Sequence, residues 1–306
     1  SQEQRDKVGQ MNVHTYGTGG RLVVRDLAKQ ADTSLWMSEI EGNWVNGWNP
    51  LLMENGLGIA SRINDDLREL EPNAWVLWQP VEDTYNMDQP RENGGENLNW
   101  GSIFIDLDCR PYTVAGSEEE VWKSPRRVAL AGSVEAAPEC SVEVNSKYNA
   151  LRNYTHFISP GDALIPTTST TTTAAVAADG ESTTLVHSNP ATDEQTVVVD
   201  LSKYGEIEAD ASLTAYVTTQ ATSLDTPTDR ALIPSAPVAV DVSAKTATYT
   251  VPAKSVTTLV IDGVSGVAPE AAALVDGGTY QLVGQQSGRA LSAENTGLAI
   301  RTIATT

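Results

Sequence analysis

Short apolar runs alternate with segments of helical period along the first part of the chain. Three runs, at 9–17, 33–39 and 74–80, predict strands, and the stretches between them, at 20–30 and 55–72, predict helices. Strands and helices in this alternation are typical of parallel βα units. We therefore expect one parallel sheet, with the second and third strands buried.

The helices are predicted from where their apolar side chains fall. In the first, Val23 and Leu27 lie on one face. The second carries an amphipathic stripe and is closed by Pro72. A third helix is predicted at 146–158, before a Ser-Pro-Gly stop. The stripe of the second helix consists of Ile59, Ile63, Leu67 and Leu70.

Beyond residue 160 the pattern changes to short β-branched runs. Up to residue 264 the chain is rich in Thr, Val, Ala and Ser, and such runs recur about every ten residues between polar turns. This spacing is typical of a β-sandwich. The stretch 167–175, TTSTTTTAA, fits either a low-complexity linker or a strand. The strand preference of threonine favours the strand.

The fold class that these patterns predict is α/β plus all-β, in three parts. Residues 1–158 hold the βα units, 159–265 the sandwich, and 266–306 a linker with a β segment that is short for an independent domain. Three βα units cannot close a barrel, and an open three-stranded sheet leaves its edges exposed. We therefore expect the chain to belong to something larger.

The charge composition argues against two classes of binding partner. The chain has 20 basic and 40 acidic residues, a net charge of −20. Nucleic acids and anionic membranes bind clustered Lys and Arg, so neither is expected as a partner. No apolar run is long enough to span a bilayer. The opening SQEQRDKVGQ is no signal peptide, so a secreted form would carry its signal upstream or have lost it.

The cysteines and histidines show no metal-binding spacing. Cys109 and Cys140 are not a CxxC pair, and the three histidines form no zinc motif, so neither a metal nor a cofactor is expected. The cysteines either form a disulfide that closes a surface loop or remain two unpaired thiols. We favour the disulfide, which would suit an extracellular protein.

The strand ends carry the candidate chemistry, because parallel βα barrels place their reacting groups there. An imidazole, a phenol, a carboxylate and an indole at one rim are typical of sugar sites. Aromatic rings stack on the pyranose, and a carboxylate attacks or protonates at the anomeric centre. Tryptophans in loops are further candidates for substrate contact. The strand ends are His14 and Tyr16, Ser38 and Glu39, and Trp78 and Gln79, and the loop tryptophans are Trp44, Trp48 and Trp100.

Several of these residues also have a purely structural interpretation. Glu39 alone fits a helix cap or a salt bridge, and His14 a core histidine. Glu41 fits a solvated carboxylate or one that supports the site from behind, and Trp36 is expected to pack within its strand. Other chemistries lack their motifs: GTGG at 17–20 has no Walker lysine, and no GxSxG sequence occurs.

Six segments occur in order along the chain: NVHTYGTGGR, WMSEIEG, AWVLWQPVED, NWGSI, KYNALRNYTHFISPGDALI and VPAKSVTTLVI. With these segments the chain resembles the second half of glycoside hydrolase family 30, nearest to its endo-β-1,6-galactanase-like branch. The resemblance covers residues 8 to about 264 and implies strands six to eight of a (β/α)8 barrel in 1–158, with the β-sandwich beside it. Residues 277–295 resemble, more weakly, the start of a ricin-type β-trefoil lectin module.

The resemblance implies a role for each strand end. Glu39 would be the catalytic nucleophile, and His14 and Tyr16 would line the sugar subsite. Trp78 would form its floor, with Gln79 beside it. A retaining glycosidase needs a second carboxyl group about 5 Å from the nucleophile. The family's Asn-Glu-Pro-like motif for that group is missing from this sequence, so it is expected upstream.

The expected function is a secreted retaining endo-glycosidase without a cofactor, acting on the β-1,6-galactan side chains of plant arabinogalactan. The chain would be a fragment that lacks the acid/base. Two alternatives stay open: a family 30 glycosidase of another specificity, such as β-glucan or xylan, and a non-catalytic carbohydrate-binding protein. An Asn-Glu pair upstream in the gene would favour an enzyme.

Overall fold

The chain begins with strands and helices in alternation. A computed structural model describes residues 7–267, 280–281 and 300–304. In its first part three strands pair in sequence order, and both pairings are parallel, as predicted. The elements are β1 (Gln10–His14), α1 (Arg21–Ala31), β2 (Ser34–Ile40), α2 (Met53–Asp65), a π-helical continuation (Asp66–Leu70) and β3 (Ala74–Leu77).

The parallel sheet is covered on one face only. Leu35, Met37 and Ile40 of β2 are buried, whereas Trp36 between them is 38% exposed. In β3, Val76 is also exposed. The prediction that β2 and β3 are buried strands, with Trp36 packed, is therefore wrong. Parallel strands usually carry helices on both faces, and here the second face has no cover among the described residues.

The two helices of this part follow the predicted spans, but only one of them is amphipathic in the predicted sense. The stripe on α2 and its π-helical continuation is buried, and the helical stretch ends before Pro72. On α1, by contrast, Val23 is 64% and Leu27 is 52% exposed, so these side chains do not face the core. The buried positions of α1 are Arg21 and Ala28.

Residues 81–144, for which the sequence patterns predict no strand or helix, form short elements. Strands of three or four residues are too short to show an alternating pattern, which explains the miss. Cys109 and Cys140 are joined by a disulfide in this region. The elements are β4 (Val81–Asp83), α3 (Thr84–Asp88), a 3₁₀ turn (Arg91–Asn93), β5 (Ile103–Ile105), β6 (Arg110–Thr113), β7 (Glu120–Lys123), α4 (Pro125–Ala131) and β8 (Val142–Val144).

After helix α5 (Ser146–Thr155) the chain is built from antiparallel strands, and most of the β-branched runs predicted as strands lie in them. In the stretch 167–175 a strand begins only at Thr172. The strands are β9 (Ala163–Ile165), β10 (Thr172–Val176), β11 (Ser182–Asn189), β12 (Gln195–Asp200), β13 (Tyr204–Thr218), β14 (Ile233–Pro234), β15 (Val238–Ala239), β16 (Thr246–Val251), β17 (Ser255–Val267), β18 (Tyr280–Gln281) and β19 (Ile300–Ala304).

These strands form two sheets. The larger has the order β14-β13-β17-β11-β10-β9-β18, with β15 also on β13, and the smaller has the order β16-β12-β19. One apolar core lies between the sheets and includes Leu185, Val199 and Leu259. A second core joins Ile59 and Ile63 of α2 to Val186 of the larger sheet, among others. The helical layer is thus packed directly on the sandwich.

Two predictions concern parts that the structure describes little or not at all. The lectin-like segment 277–295 lies outside the described residues except for 280–281. The boundaries at 158 and 265 remain predictions. Within the described residues, no helix is both long and apolar enough to cross a membrane.

Candidate active site

Glu39 lies near the carboxyl end of β2, directly beside the end of β1. The strand register places His14 opposite Glu39, with an irregularity after Val13 that brings these two positions level. His14 Nε2 is 3.6 Å from Glu39 Oε2. The Glu39 side chain is 30% exposed, so a ligand can reach it from solvent. The strand ends predicted to meet at this rim therefore do so.

Tyr16 joins two carboxyl groups. Its Oη lies 3.3 Å from Glu39 Oε1 and 3.3 Å from Glu41 Oε2, and its ring stands edge-on to the His14 ring at 5.9 Å. Burial and the charges of both glutamates raise the pKa of Tyr16 well above its ordinary value. The phenol therefore keeps its proton and acts here as a hydrogen-bond donor.

The segment that carries Tyr16 is anchored by a buried carboxylate below it. Asp66 accepts hydrogen bonds from Thr15 Oγ1 at 2.9 Å, Arg21 Nε at 2.6 Å and Trp75 Nε1 at 3.0 Å. These three donors compensate for the burial of the charge. Thr15 is thereby fixed between His14 and Tyr16, which sets the direction of both rings.

The turn after Glu39 is pressed against helix α2. Gly42 has a φ of +76° and packs against Ile59, while Gly58 of the helix lies against the backbone of Asn43. Glu41 at the start of this turn is partly buried, and burial raises its pKa. Because Gly42 has no side chain, the turn can pack closely on Ile59, and it holds Glu41 beside Tyr16.

Lys147 is a residue of the site that sequence reasoning missed. It is fully buried near the start of α5, and its Nζ donates to the backbone oxygens of Glu41 at 2.5 Å and of Trp100 at 3.2 Å. The same ammonium lies 5.1 Å from the Trp44 ring centroid. Burial lowers the pKa of Lys147 to about 7. No local sequence pattern distinguishes it from an ordinary surface lysine.

The loop tryptophans are brought to the same side of the molecule, but each has protein partners. Trp44 and the backbone of Trp100 meet at Lys147, and Trp100 Nε1 donates to Glu96 at 3.0 Å. Trp48 packs edge-on against Phe104 at 4.7 Å. These contacts give all three indoles a structural role, and substrate contact remains a prediction for each.

The third strand contributes Trp78 and Gln79. Trp78 is 44% exposed, and its backbone N–H donates to the Ile40 oxygen at 3.0 Å, so it lies next to the end of β2. The peptide bond between Trp78 and Gln79 is cis. The Gln79 amide donates to Glu82, a buried carboxylate that also accepts from the backbone N–H of Asp83. Gln79 is thus occupied by a protein contact.

The arrangement suits carboxylate chemistry on a ligand with apolar faces. An accessible carboxylate has an imidazole and a protonated phenol beside it, and an exposed indole lies on the neighbouring strand. Across the described residues, no group of three or more His, Cys, Asp or Glu side chains is placed to hold a metal ion.

No protein-family model matches the chain. Among curated proteins it is similar to the exo-beta-1,6-galactobiohydrolase of Bifidobacterium longum subsp. longum, with 39% identity over 311 aligned residues. The alignment covers 96% of this chain and 20% of that protein. The chain therefore spans about a fifth of the length of this relative.

Similar solved structures include two xylanases. One is a GH30 endoxylanase from Clostridium papyrosolvens, with a TM-score of 0.49 and 17% identity, covering 84% of this chain and 50% of that one. The other is a glycoside hydrolase family 30 subfamily 8 xylanase from Clostridium acetobutylicum, with a TM-score of 0.49 and 15% identity, covering 84% and 49%. The chain spans about half of each.

Proposed function

We propose that this chain carries the nucleophile of a retaining glycoside hydrolase that acts on β-1,6-linked galactan. The observation that carries the proposal is the placement of Glu39, which lies at the sheet rim beside His14 and Tyr16 and is open to solvent. The similarity to an exo-beta-1,6-galactobiohydrolase supports both the glycosidase class and a galactan-type substrate.

In this proposal the Glu39 carboxylate attacks the anomeric carbon of the bound sugar. The bond to the aglycone oxygen breaks, and that oxygen leaves with the bonding electrons and takes a proton from a general acid. Water, deprotonated by the same group acting as a base, then releases the sugar from Glu39. Tyr16 and His14 orient the carboxylate, and the exposed face of Trp78 offers an apolar surface to the pyranose.

The general acid and the remaining walls of the site are proposed to come from chain outside these 306 residues. The open face of the β1–β3 sheet, with Trp36 and Val76 exposed, supports this, as does the lack of an Asn-Glu-Pro-like motif. A (β/α)8 barrel in which β1–β3 are strands six to eight would cover that face. It would also pair the two edges of the sheet, which have no partner strand in the part of the chain that the structure describes.

We further propose that the protein is secreted and cuts within its substrate chain. The disulfide between Cys109 and Cys140 fits an oxidising compartment.

An endo enzyme releases products of mixed length from the start, whereas an exo-acting enzyme releases one short product. The product pattern therefore decides the mode of cleavage.

The test is a hydrolysis assay on the protein isolated from its producing organism, with β-1,6-galactan, β-glucan and xylan as substrates. We expect hydrolysis of the galactan alone. Glu39→Gln should lower the rate by about 10³-fold or more, since it removes the nucleophile. Glu118→Gln, the same change on an exposed turn, should leave it unchanged.

Each other outcome changes a defined part of the proposal. A single disaccharide product would replace endo with exo action. A near-normal rate in Glu39→Gln would remove Glu39 from the mechanism. Binding of galactan without hydrolysis by the intact protein would establish a carbohydrate-binding protein instead.

A further inference from the structure

Two carboxyl groups share a single phenol at the rim of the parallel sheet. Tyr16 Oη lies at 3.3 Å from an oxygen of Glu39 and at 3.3 Å from an oxygen of Glu41. A phenol has one hydrogen and can donate it to only one of them. If both glutamates were ionised, the contact that receives no hydrogen would place a lone pair of the phenol oxygen against a lone pair of a carboxylate oxygen, which is repulsive. Both contacts are satisfied when one carboxyl group is protonated and donates to the phenol oxygen.

The surroundings of the two groups differ. Glu39 is 30% exposed, so water can hydrate its charge, and the His14 imidazole lies 3.6 Å from it. Glu41 lies where the turn packs on helix α2, and burial disfavours its charged form. Its backbone oxygen, and not its carboxyl group, accepts the hydrogen bond from Lys147. The proton is therefore better placed on Glu41 than on Glu39.

The charged and titratable groups that face Glu41 come from four parts of the chain. Glu39 on β2 and Glu96 in the loop before β5 disfavour a second negative charge, whereas Lys147 on α5 favours it. Tyr16, after β1, serves either form of Glu41, as donor to the carboxylate or as acceptor from the acid. Burial lowers the pKa of Lys147, so above neutral pH this side chain is largely uncharged. In that pH range it therefore does least to stabilise an ionised Glu41.

We propose that Glu41 is a positioning residue that holds a proton in the working state, donating it to the Tyr16 oxygen while Tyr16 donates to the ionised Glu39. The inference rests on the proposed role of Glu39 as nucleophile. The proton stays on Glu41, and no bond to substrate is formed by this residue. When Glu41 loses its proton, the phenol hydrogen is drawn to it and Glu39 loses its orienting donor. Activity should therefore fall as the pH rises.

A carboxyl titration tests the protonation directly and does not depend on hydrolysis. The chain is labelled with ¹³C at the glutamate side-chain carboxyl carbon and titrated by NMR as wild type, Glu41→Gln and Glu118→Gln. Besides the resonance of Glu143, whose pKa burial also raises, we expect one resonance with a midpoint well above the value of about 4.3 typical of exposed glutamates. It should be absent in Glu41→Gln and present in Glu118→Gln. If every glutamate other than Glu143 titrates near the exposed value, the inference is overturned whether or not the protein cleaves glycans.

A pH profile of galactan hydrolysis tests the positioning role in the intact protein. Glu41→Gln keeps an N–H donor for Tyr16, so it should keep most of kcat and lose the fall at high pH. Glu41→Ala, which has no donor to the Tyr16 oxygen, should lose about tenfold in kcat at low pH, the equivalent of one hydrogen bond, and should also lose the fall at high pH because no carboxylate competes for the phenol hydrogen. A profile of unchanged shape in Glu41→Gln would overturn the inference. A wild type without hydrolysis would refute the proposed function, while the titration still decides the state of Glu41.

Discussion

Glu39 depends on residues that reach it from distant parts of the chain. His14 and Tyr16 come from the end of β1, and these were predictable because parallel strands end at one edge of a sheet. Lys147 was not predictable, since its contact with Glu41 spans 106 positions in sequence. Its burial follows from how α5 packs, and a single lysine near a helix start carries no sign of that.

Replacing Lys147 with methionine should change how stability depends on pH. The amine has a pKa of about 7 when folded, against about 10.4 when unfolded, so the unfolded chain binds more protons between these values. Lys147 therefore opposes folding most at and below pH 7, and this opposition fades as the pH rises towards 10. The measurement is the free energy of unfolding in urea for wild type and Lys147→Met at pH 7 and pH 9.5.

The expected result is that wild type gains stability relative to Lys147→Met as the pH is raised. Lys245→Met, a change at an exposed turn, is the matched control and should show no such trend. A constant difference between wild type and Lys147→Met at both pH values would show that the folded-state pKa of this amine is not lowered.

Helix α2 shapes the site through the close approach of Gly58 to the turn after Glu39. Its sequence stripe and its end before Pro72 were predictable from spacing, whereas the role of Gly58 was not, because a glycine inside a helix has no signal for what lies opposite it. A Cβ at Gly58 would lie 2.3 Å from the Asn43 backbone oxygen.

The short strands of residues 81–144 were not predicted for another reason, since three residues show no period.

Gly58→Ala should therefore displace the turn that carries Glu41 and Trp44. Overpacking of this kind costs about 1–3 kcal/mol of stability, more than the gain in helix propensity from alanine. Unfolding in urea and the galactan assay measure the two effects, and both stability and rate should fall. Gly9→Ala has open space at its Cβ position and should change neither. An unchanged rate of galactan hydrolysis in Gly58→Ala would show that the position of this turn does not affect the site.

The helical layer and the β-sandwich share a core, although the sequence pattern predicted them as two separate parts. Predicting strands and helices does not reveal which of their faces meet. Besides the apolar contacts, Asn153 of α5 is fully buried and joins the layers. Its amide donates to Thr218 Oγ1 at 2.8 Å and its oxygen accepts from Thr258 Oγ1 at 3.1 Å. We therefore expect the two parts to unfold together.

Asn153→Ala should lower the stability of both layers at once. It removes the side-chain hydrogen bonds to Thr218 and Thr258, at roughly 0.5–1.5 kcal/mol each. All seven tryptophans lie between residues 36 and 122, so tryptophan fluorescence reports the first layer alone, while far-UV circular dichroism also reports the sandwich. Both thermal transitions should coincide and shift down together. Asn46→Ala, at an exposed position, should shift neither, and separate transitions would refute a shared core.

If Glu39 is the nucleophile, its covalent intermediate with the sugar can be trapped. A 2-deoxy-2-fluoro-β-galactoside with a dinitrophenyl leaving group needs no general acid, so the first step depends on the nucleophile and on sugar binding. The protein from its producing organism is treated with this reagent, digested, and analysed by mass spectrometry. We expect a fluorogalactosyl adduct on the peptide that contains Glu39, and none in Glu39→Gln. An adduct on another carboxylate, or equal labelling of Glu39→Gln, would contradict it.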